Sequence, residues 1–247
     1  MFKLFSKSIS SSSKADYSLL GTDMHSHLIP GIDDGAPDME TSLLLIRGMQ
    51  QLGYKKLITT PQIMWDMYKN SREKILEKLE ELKSVIKREG IDIEIYAGAE
   101  YFLDDHVAGI VKNNEPLLNI SGNMVLVEFS MAHASMGLKE IIFDMQMQGY
   151  QPVIAHPERY IYLENNKVFY DDLKDIGCLF QLNLLSLSNY YGKSVHELAQ
   201  YLIKKKYYDL VGTDLHNERH LEALNNSGLS AALKKLLDSG KIRNDQL

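Results

Sequence analysis

Five short apolar runs in this chain lead directly into an acid or a histidine. Residues 19–24 run into His25-Ser26-His27, 93–97 lead to Glu100, 124–127 to Glu128, 153–155 to His156, and 208–212 to Asp214 and His216. Runs of this length, alternating with helical periodicity, read as parallel strands in βα units. In a parallel barrel the carboxyl ends of the strands converge on one face, and the chemistry collects there. Histidines at i and i+2 on a strand point to the same side, so both imidazoles can reach one ion. The recurrence therefore points to an α/β barrel with several metal ligands at one end. Two-metal sites of that kind serve mainly to hydrolyse phosphate esters and related bonds.

The segments between the runs fit the same architecture. Asp38 is placed to cap a helix whose apolar residues Met39, Leu43, Ile46 and Met49 share a face, with Gly53 at its end. A second strand covers 56–60, and Asn70 with Glu73 resembles a capping box for a helix that turns Ile75, Leu79, Leu82 and Ile86 inward. Helices are expected over 138–147 and 195–205, a strand over 179–182 leads to Asn183, and two short helical patterns close the chain. Counted in order this gives seven βα-like units without a linker rich in Pro, Gly or Ser. A single domain over 17–247 follows, preceded by a basic, serine-rich flexible arm over 1–16.

Composition excludes several alternatives. A net charge of −6 over 247 residues, without a basic stripe interleaved with aromatics, argues against a nucleic-acid partner. No apolar run approaches the roughly 18–20 residues of a membrane span. The arm lacks the unbroken apolar stretch of a signal peptide, so a cytoplasmic location is expected. The one cysteine, Cys178, lies in a strand-like run and reads as buried and structural.

Imidazole and carboxylate without thiolate suits Mn, Fe or Zn in a catalytic setting better than a structural zinc site. Glu100 and Glu128 follow apolar strands, where an unpaired carboxylate would be costly; an ion removes the cost, and an arginine partner is the competing explanation. Arg159, three residues beyond His156, would sit on the same rim, where a guanidinium fork matches two phosphate oxygens. Arg219, beyond the Asp214/His216 pair, is a second candidate for phosphate contact. His106, His133, His196 and His220 lack a strand-end context and read as surface or helix residues. The chain has no Cys-x5-Arg loop, no Gly-x-Ser-x-Gly elbow and no P-loop. If it hydrolyses phosphate, metal-activated water rather than a side chain must attack.

Six segments resemble the motif series of the polymerase-and-histidinol-phosphatase (PHP) superfamily. They are Asp23-Met24-His25-Ser26-His27, Ile32-Asp33-Asp34-Gly35, Gly98-Ala99-Glu100, Val127-Glu128-Phe129-Ser130, Ile154-Ala155-His156-Pro157-Glu158-Arg159-Tyr160 and Thr213-Asp214-Leu215-His216-Asn217. More narrowly, the set is similar to the bacterial protein-tyrosine phosphatases encoded with capsule and exopolysaccharide genes. The resemblance covers roughly residues 20–240. It implies a distorted (β/α)7 TIM-like barrel, two or three divalent ions with Mn preferred, and Arg159 on the substrate phosphate. It implies one ion on His25, His27, Glu100 and Asp214, and a second on Glu100, Glu128 and His156. A third would sit on Asp34, His216 and a histidine after strand two. Gln62 stands where that histidine belongs, and a glutamine carbonyl holds Mn, Fe or Zn less well than imidazole. The implied substrate is a phosphotyrosine protein, the tyrosine-rich tail of a kinase controlling polysaccharide export, and an oligomer is compatible with it. A PHP phosphoesterase for a small metabolite is the competing enzymatic reading. A regulatory binding partner, weakened catalytically by Gln62, is the competing reading from another class.

Overall fold

The computed structural model describes residues 15–133 and 137–247. Of the expected arm, residues 1–14 lie outside the described residues, whereas Ala15 is already packed into the core. The elements run β1 (Thr22–Asp23), α1 (Met39–Gln51), β2 (Lys56–Thr59), β3 (Gln62–Ile63), α2 (Arg72–Arg88), β4 (Glu94–Ala97), β5 (Glu100–Phe102), α3 (Asp105–Lys112) and β6 (Met124–Glu128). They continue with α4 (Leu138–Met147), β7 (Gln151–Ala155), α5 (Val168–Asp175), β8 (Leu179–Asn183), α6 (Lys193–Lys205), β9 (Leu210–Gly212), α7 (Glu218–Leu224) and α8 (Ser227–Leu237).

Every strand pairing is parallel, in the orders β1-β2-β4 and β3-β5-β6-β7-β8-β9. β3 prolongs β2 past Thr60-Pro61, where proline has no N–H for a ladder, and β5 prolongs β4 past Gly98-Ala99. A Cβ on Gly98 would lie 2.7 Å from Ile120 Cγ2, so only glycine lets the chain pass there. Seven strand positions result. The first and last meet through short contacts: His27 N donates to Leu215 O (2.9 Å), Asp214 N donates to His25 O (2.7 Å), and Ser26 bridges Leu215 in parallel. This is the distorted seven-stranded barrel expected from the strand count.

Two apolar clusters follow from strand alternation. Leu126, Val153, Ala155 and Leu210 point into the barrel with Met24, Ile58 and Ile120, while Val125, Val127, Ile154 and Val211 point out to the helices. With helices on one face and a filled interior on the other, the strands are buried on both sides. The period of two also places the chemistry: Leu126 is followed two residues on by Glu128, and Leu210 is followed through Gly212 by Asp214.

Local readings hold in most places. Asp38 caps α1 by accepting from Thr41 N, and α4 spans the expected residues. The cap of α2 is Ser71, which accepts from Lys74 N; Asn70 instead donates to Ile32 O and Gln62 O and ties two site loops together. The first strand is shorter than expected because Tyr17–Gly21 bonds form a turn that leaves Leu19 exposed. α3 and α5, each eight residues long, were not anticipated.

Gly35 closes the loop after β1 against His27, where an added Cβ would stand 2.2 Å from the His27 carbonyl oxygen and 2.4 Å from its Cβ. Gly35→Ala should therefore cost about 1–3 kcal/mol, as overpacking does. A thermal melt of the metal-free protein reads this, and an unchanged Tm would show that the loop yields without strain.

Candidate metal centre

The site is built around two histidines whose ring orientation is fixed. Gln181, inward-facing on β8, accepts through Oε1 from the backbone N–H of His156 (3.1 Å), which identifies that atom as the carbonyl oxygen. The same oxygen lies 3.0 Å from His25 Nδ1, so Nδ1 carries the proton and Nε2 presents a lone pair. Asp33 does likewise for His27: Oδ2 lies 2.9 Å from Nδ1 and also accepts from Gln62 N, while Oδ1 accepts from Gly35 N. A second partner of this kind sets tautomer and orientation in metal-ligating histidines.

The two Nε2 atoms converge to 3.4 Å. Around them lie Glu100 Oε1 (3.4 Å from His25), Glu100 Oε2 (3.5 Å from His27) and Asp214 Oδ1 (3.3 and 3.6 Å). These spacings are long for hydrogen bonds. Donors each about 2.0–2.2 Å from one ion lie roughly 3.0–3.5 Å from one another. Lone pairs facing each other beside buried carboxylates thus describe a cradle for a cation. Glu100 Oε1 is buried without a hydrogen bond among the described residues, which a cation held there would satisfy. It also lies 3.2 Å from His156 Nε2, with Glu128 Oε1 4.0 Å from that nitrogen.

Asp214 divides its oxygens. Oδ1 faces the imidazoles, whereas Oδ2 accepts from Arg159 Nη1 (2.7 Å) and Asn183 Nδ2 (2.9 Å). Its backbone oxygen lies 2.8 Å from His216 Nδ1, which turns His216 Nε2 towards Asp34 at 3.5 Å. Asp214 and His156 both adopt left-handed backbone, φ +53° and +33°. Each such conformation stores on the order of 1–3 kcal/mol and is held only where the surroundings enforce it.

Charge is concentrated here. Burial pushes Glu128 well above the ordinary carboxylate range, the Glu100 charge adds to this, and Arg159 opposes it. Burial works against ionised Glu100 too, but His25 and the surrounding imidazole contacts hold it well below that range. Burial disfavours a second proton on His27 while the Asp33 and Glu100 charges favour one, and a cation at Nε2 would compete with that proton. His156 is lowered, by burial and then by Arg159.

A cavity of about 310 Å³ opens over these groups, with Asp34, Gln62, Arg159, Tyr191 and His220 in its wall. His25, His27, Glu100, Glu128, His156, Asp214, His216 and Asp34 come together as the sequence implied, and Arg159 stands on the rim over Tyr191, 4.7 Å from its ring centroid. Gln62 reaches the cavity, but its amide donates to Glu128 Oε2 (2.5 Å), so it engages Glu128 and not the Asp34/His216 pair. Arg219 is exposed on α7 and lies outside the lining. The wall histidine on that helix is His220, which a surface reading missed; its i, i+4 spacing from His216 was the available signal. Asp33, Gln181 and Tyr191 were missed as well.

Residues 21–238 match the model of the family described as capsular polysaccharide synthesis, CpsB/CapC. The chain belongs to this family. It is 32% identical over 201 residues to the tyrosine-protein phosphatase CpsB of Streptococcus pneumoniae, covering 79% of this chain and 82% of that one. Identity to the tyrosine-protein phosphatase YwqE of Bacillus subtilis is 28% over 195 residues, covering 79% and 77%. A solved structure from work on YwqE and CpsB, described there as unique metal-dependent tyrosine phosphatases, aligns with TM-score 0.77 at 28% identity over 87% of this chain and 86% of that chain. Histidinol phosphate phosphatase from Lactococcus lactis shares the fold, with TM-score 0.54 at 13% identity over 93% and 94% of the two chains.

Asp33 is not among the residues that line this cavity and both its oxygens accept hydrogen bonds, so its expected effect runs through His27. Asp33→Ala should weaken divalent-ion binding about 10- to 100-fold, the usual loss when a ligand's orienting partner is removed. Calorimetric titration of metal-stripped protein measures this, and wild-type affinity would contradict the orientation argument.

Proposed function

We propose that this CpsB/CapC-family protein is a metal-dependent protein-tyrosine phosphatase that uses divalent ions, with Mn the best match. The observation that carries the reading is the pair of His25 and His27 Nε2 lone pairs, 3.4 Å apart and facing Glu100 and Asp214. The phosphatase names of the relatives support it. His25, His27, Glu100 and Asp214 would hold one ion, Glu100, Glu128 and His156 a second, and Asp34 with His216 a third. Such ions neutralise charge on phosphoryl oxygens and lower the pKa of water enough for it to act as nucleophile at neutral pH.

The chain's own groups supply positioning. Arg159 gives one N–H to Asp214 and lies over Tyr191, which fixes its plane, and its side chain lines the cavity. A guanidinium held this way suits two oxygens of a phosphate and gains strength as charge builds on them. Asn183 holds Asp214 from the far side, and Gln62 holds Glu128. Among the described residues no helix is long and apolar enough to cross a membrane. A cytoplasmic site of action on the tyrosine-rich tail of a kinase completes the reading.

The experiment is hydrolysis of phosphotyrosine peptides by Mn-loaded protein beside a panel of small phosphate esters; preferential turnover of a metabolite ester would overturn the tyrosine assignment. Two substitutions separate ligand from phosphate contact. Glu100→Ala should lower bound metal and abolish turnover together. Arg159→Ala should retain nearly all the metal yet lower kcat/KM by about 10²–10³-fold, the usual loss for a group that stabilises developing charge. Metal loss equal to that of Glu100→Ala would reassign Arg159.

A further inference from the structure

The cavity wall is carboxylate, imidazole, amide and guanidinium, with Tyr191 as its aromatic residue. A phosphate suits it; the apolar part of a substrate must find its partners outside. One segment that offers them is the hairpin that begins in β3, whose first residue, Gln62, lines the cavity. It starts at Gln62, turns through Met64–Tyr68 with an antiparallel bridge between those two residues, and ends at Asn70, whose amide ties it to Gln62 O and Ile32 O (both 2.8 Å). Gln62, at the root of the hairpin, lines the cavity itself, which places the hairpin beside its mouth.

This hairpin exposes Trp65 (41%) and Met67 (64%). Single exposed apolar residues need no explanation. These two are different because they share one hairpin rooted in the site wall, and because the tryptophan is held rigid. Its ring stacks on His106 at 3.9 Å, and its backbone N–H donates to Asp104 Oδ2 (3.3 Å). A pre-ordered aromatic loses little freedom when another side chain lies on it, which is the character of a binding hot spot. Across the mouth, Tyr190 (42% exposed) stands edge-on to His220 at 5.4 Å. Tyr190 follows β8, and β5, β6 and β7 separate that strand from β3, so the two aromatic sites flank the opening from opposite sides.

We propose that Trp65 and Met67 form a docking surface for an apolar side chain next to the phosphotyrosine of a peptide laid across the mouth. The inference rests on the phosphotyrosine-phosphatase reading above. It adds which part of the polypeptide substrate is recognised and by which residues. A contact of this kind is the same in ground and transition states, so it acts on KM and leaves kcat. A small aryl phosphate does not reach it.

The test compares p-nitrophenyl phosphate with two phosphotyrosine peptides, one flanked by Leu or Phe and one by Ser, on Mn-loaded wild type, Trp65→Ala, Trp65→Phe and Met67→Ala. For the apolar peptide, Trp65→Ala should raise KM about 5- to 30-fold and Met67→Ala about 3- to 10-fold, the range of truncations at a binding surface. Trp65→Phe should recover most of the loss. The Ser peptide and p-nitrophenyl phosphate should stay within about twofold of wild type on every variant, with bound metal and Tm unchanged. Equal KM for both peptides on wild type, or a loss shared by all three substrates, overturns the docking surface while leaving the phosphatase reading intact. Wild type that hydrolyses only p-nitrophenyl phosphate overturns the phosphatase reading and this inference with it.

Discussion

The direction in which two imidazoles face decides most of what this structure can do. Gln181 and Asp33 each accept a hydrogen bond from the Nδ1–H of a histidine, and the Nε2 atoms of His25 and His27 are left pointing at one another and at Glu100. Without those two acceptors either ring could turn, or take its proton on Nε2, and the donors would no longer converge. The acceptors are themselves immobilised. Gln181 Nε2 donates to Leu182 O and its oxygen also holds His156, while Asp33 is gripped by the Gly35 and Gln62 amides. The cradle is therefore rigid before any ion enters, and His156 is positioned by the residue that positions His25.

That rigidity is bought from the barrel. Left-handed backbone at His156 and Asp214, buried carboxylates at Glu100 and Glu128, and facing lone pairs are each unfavourable in isolation. They sit at the ends of strands buried on both faces, where the packed interior of Leu126, Val153, Ala155 and Leu210 leaves little room to relax. Close backbone passages add to the constraint: a Cβ on Gly212 would lie 2.6 Å from His25 Cβ. The arrangement stores its cost where cations and a phosphate can relieve it.

The strand ends were legible because five of the seven strand positions are an apolar run followed by an acid or a histidine, and period-two alternation carries Glu128 and Asp214 inward. The ligand cluster, the capping by Asp38 and the helix at α4 followed from such local rules. What escaped detection has physical reasons. Asp33 sits in an Asp-Asp-Gly turn, where an aspartate ordinarily serves its own loop, and nothing local shows that it reaches back to His27. Gln181 looks like an interior strand residue until the barrel closes and brings His25 beside it. α3 and α5 are two turns long, too short for a periodic stripe to stand out. Arg219 and His220 were exchanged in importance because the phase of α7 is set by Asn217 capping at His220 N, which turns His220 towards His216 and Arg219 to solvent. The place of Gln62 depended on tertiary geometry, since only the folded barrel shows its amide on Glu128.

The central claim is that His25 and His27 share an ion through Nε2 and that Glu100 joins it to a second. Anomalous diffraction from crystals of Mn-loaded protein tests this most directly. The account predicts one peak about 2.0–2.3 Å from both Nε2 atoms and a second flanked by Glu128 and His156, with Glu100 between them. Loaded crystals with no peak within bonding distance of either Nε2, or with Glu100 contacting neither ion, would contradict it.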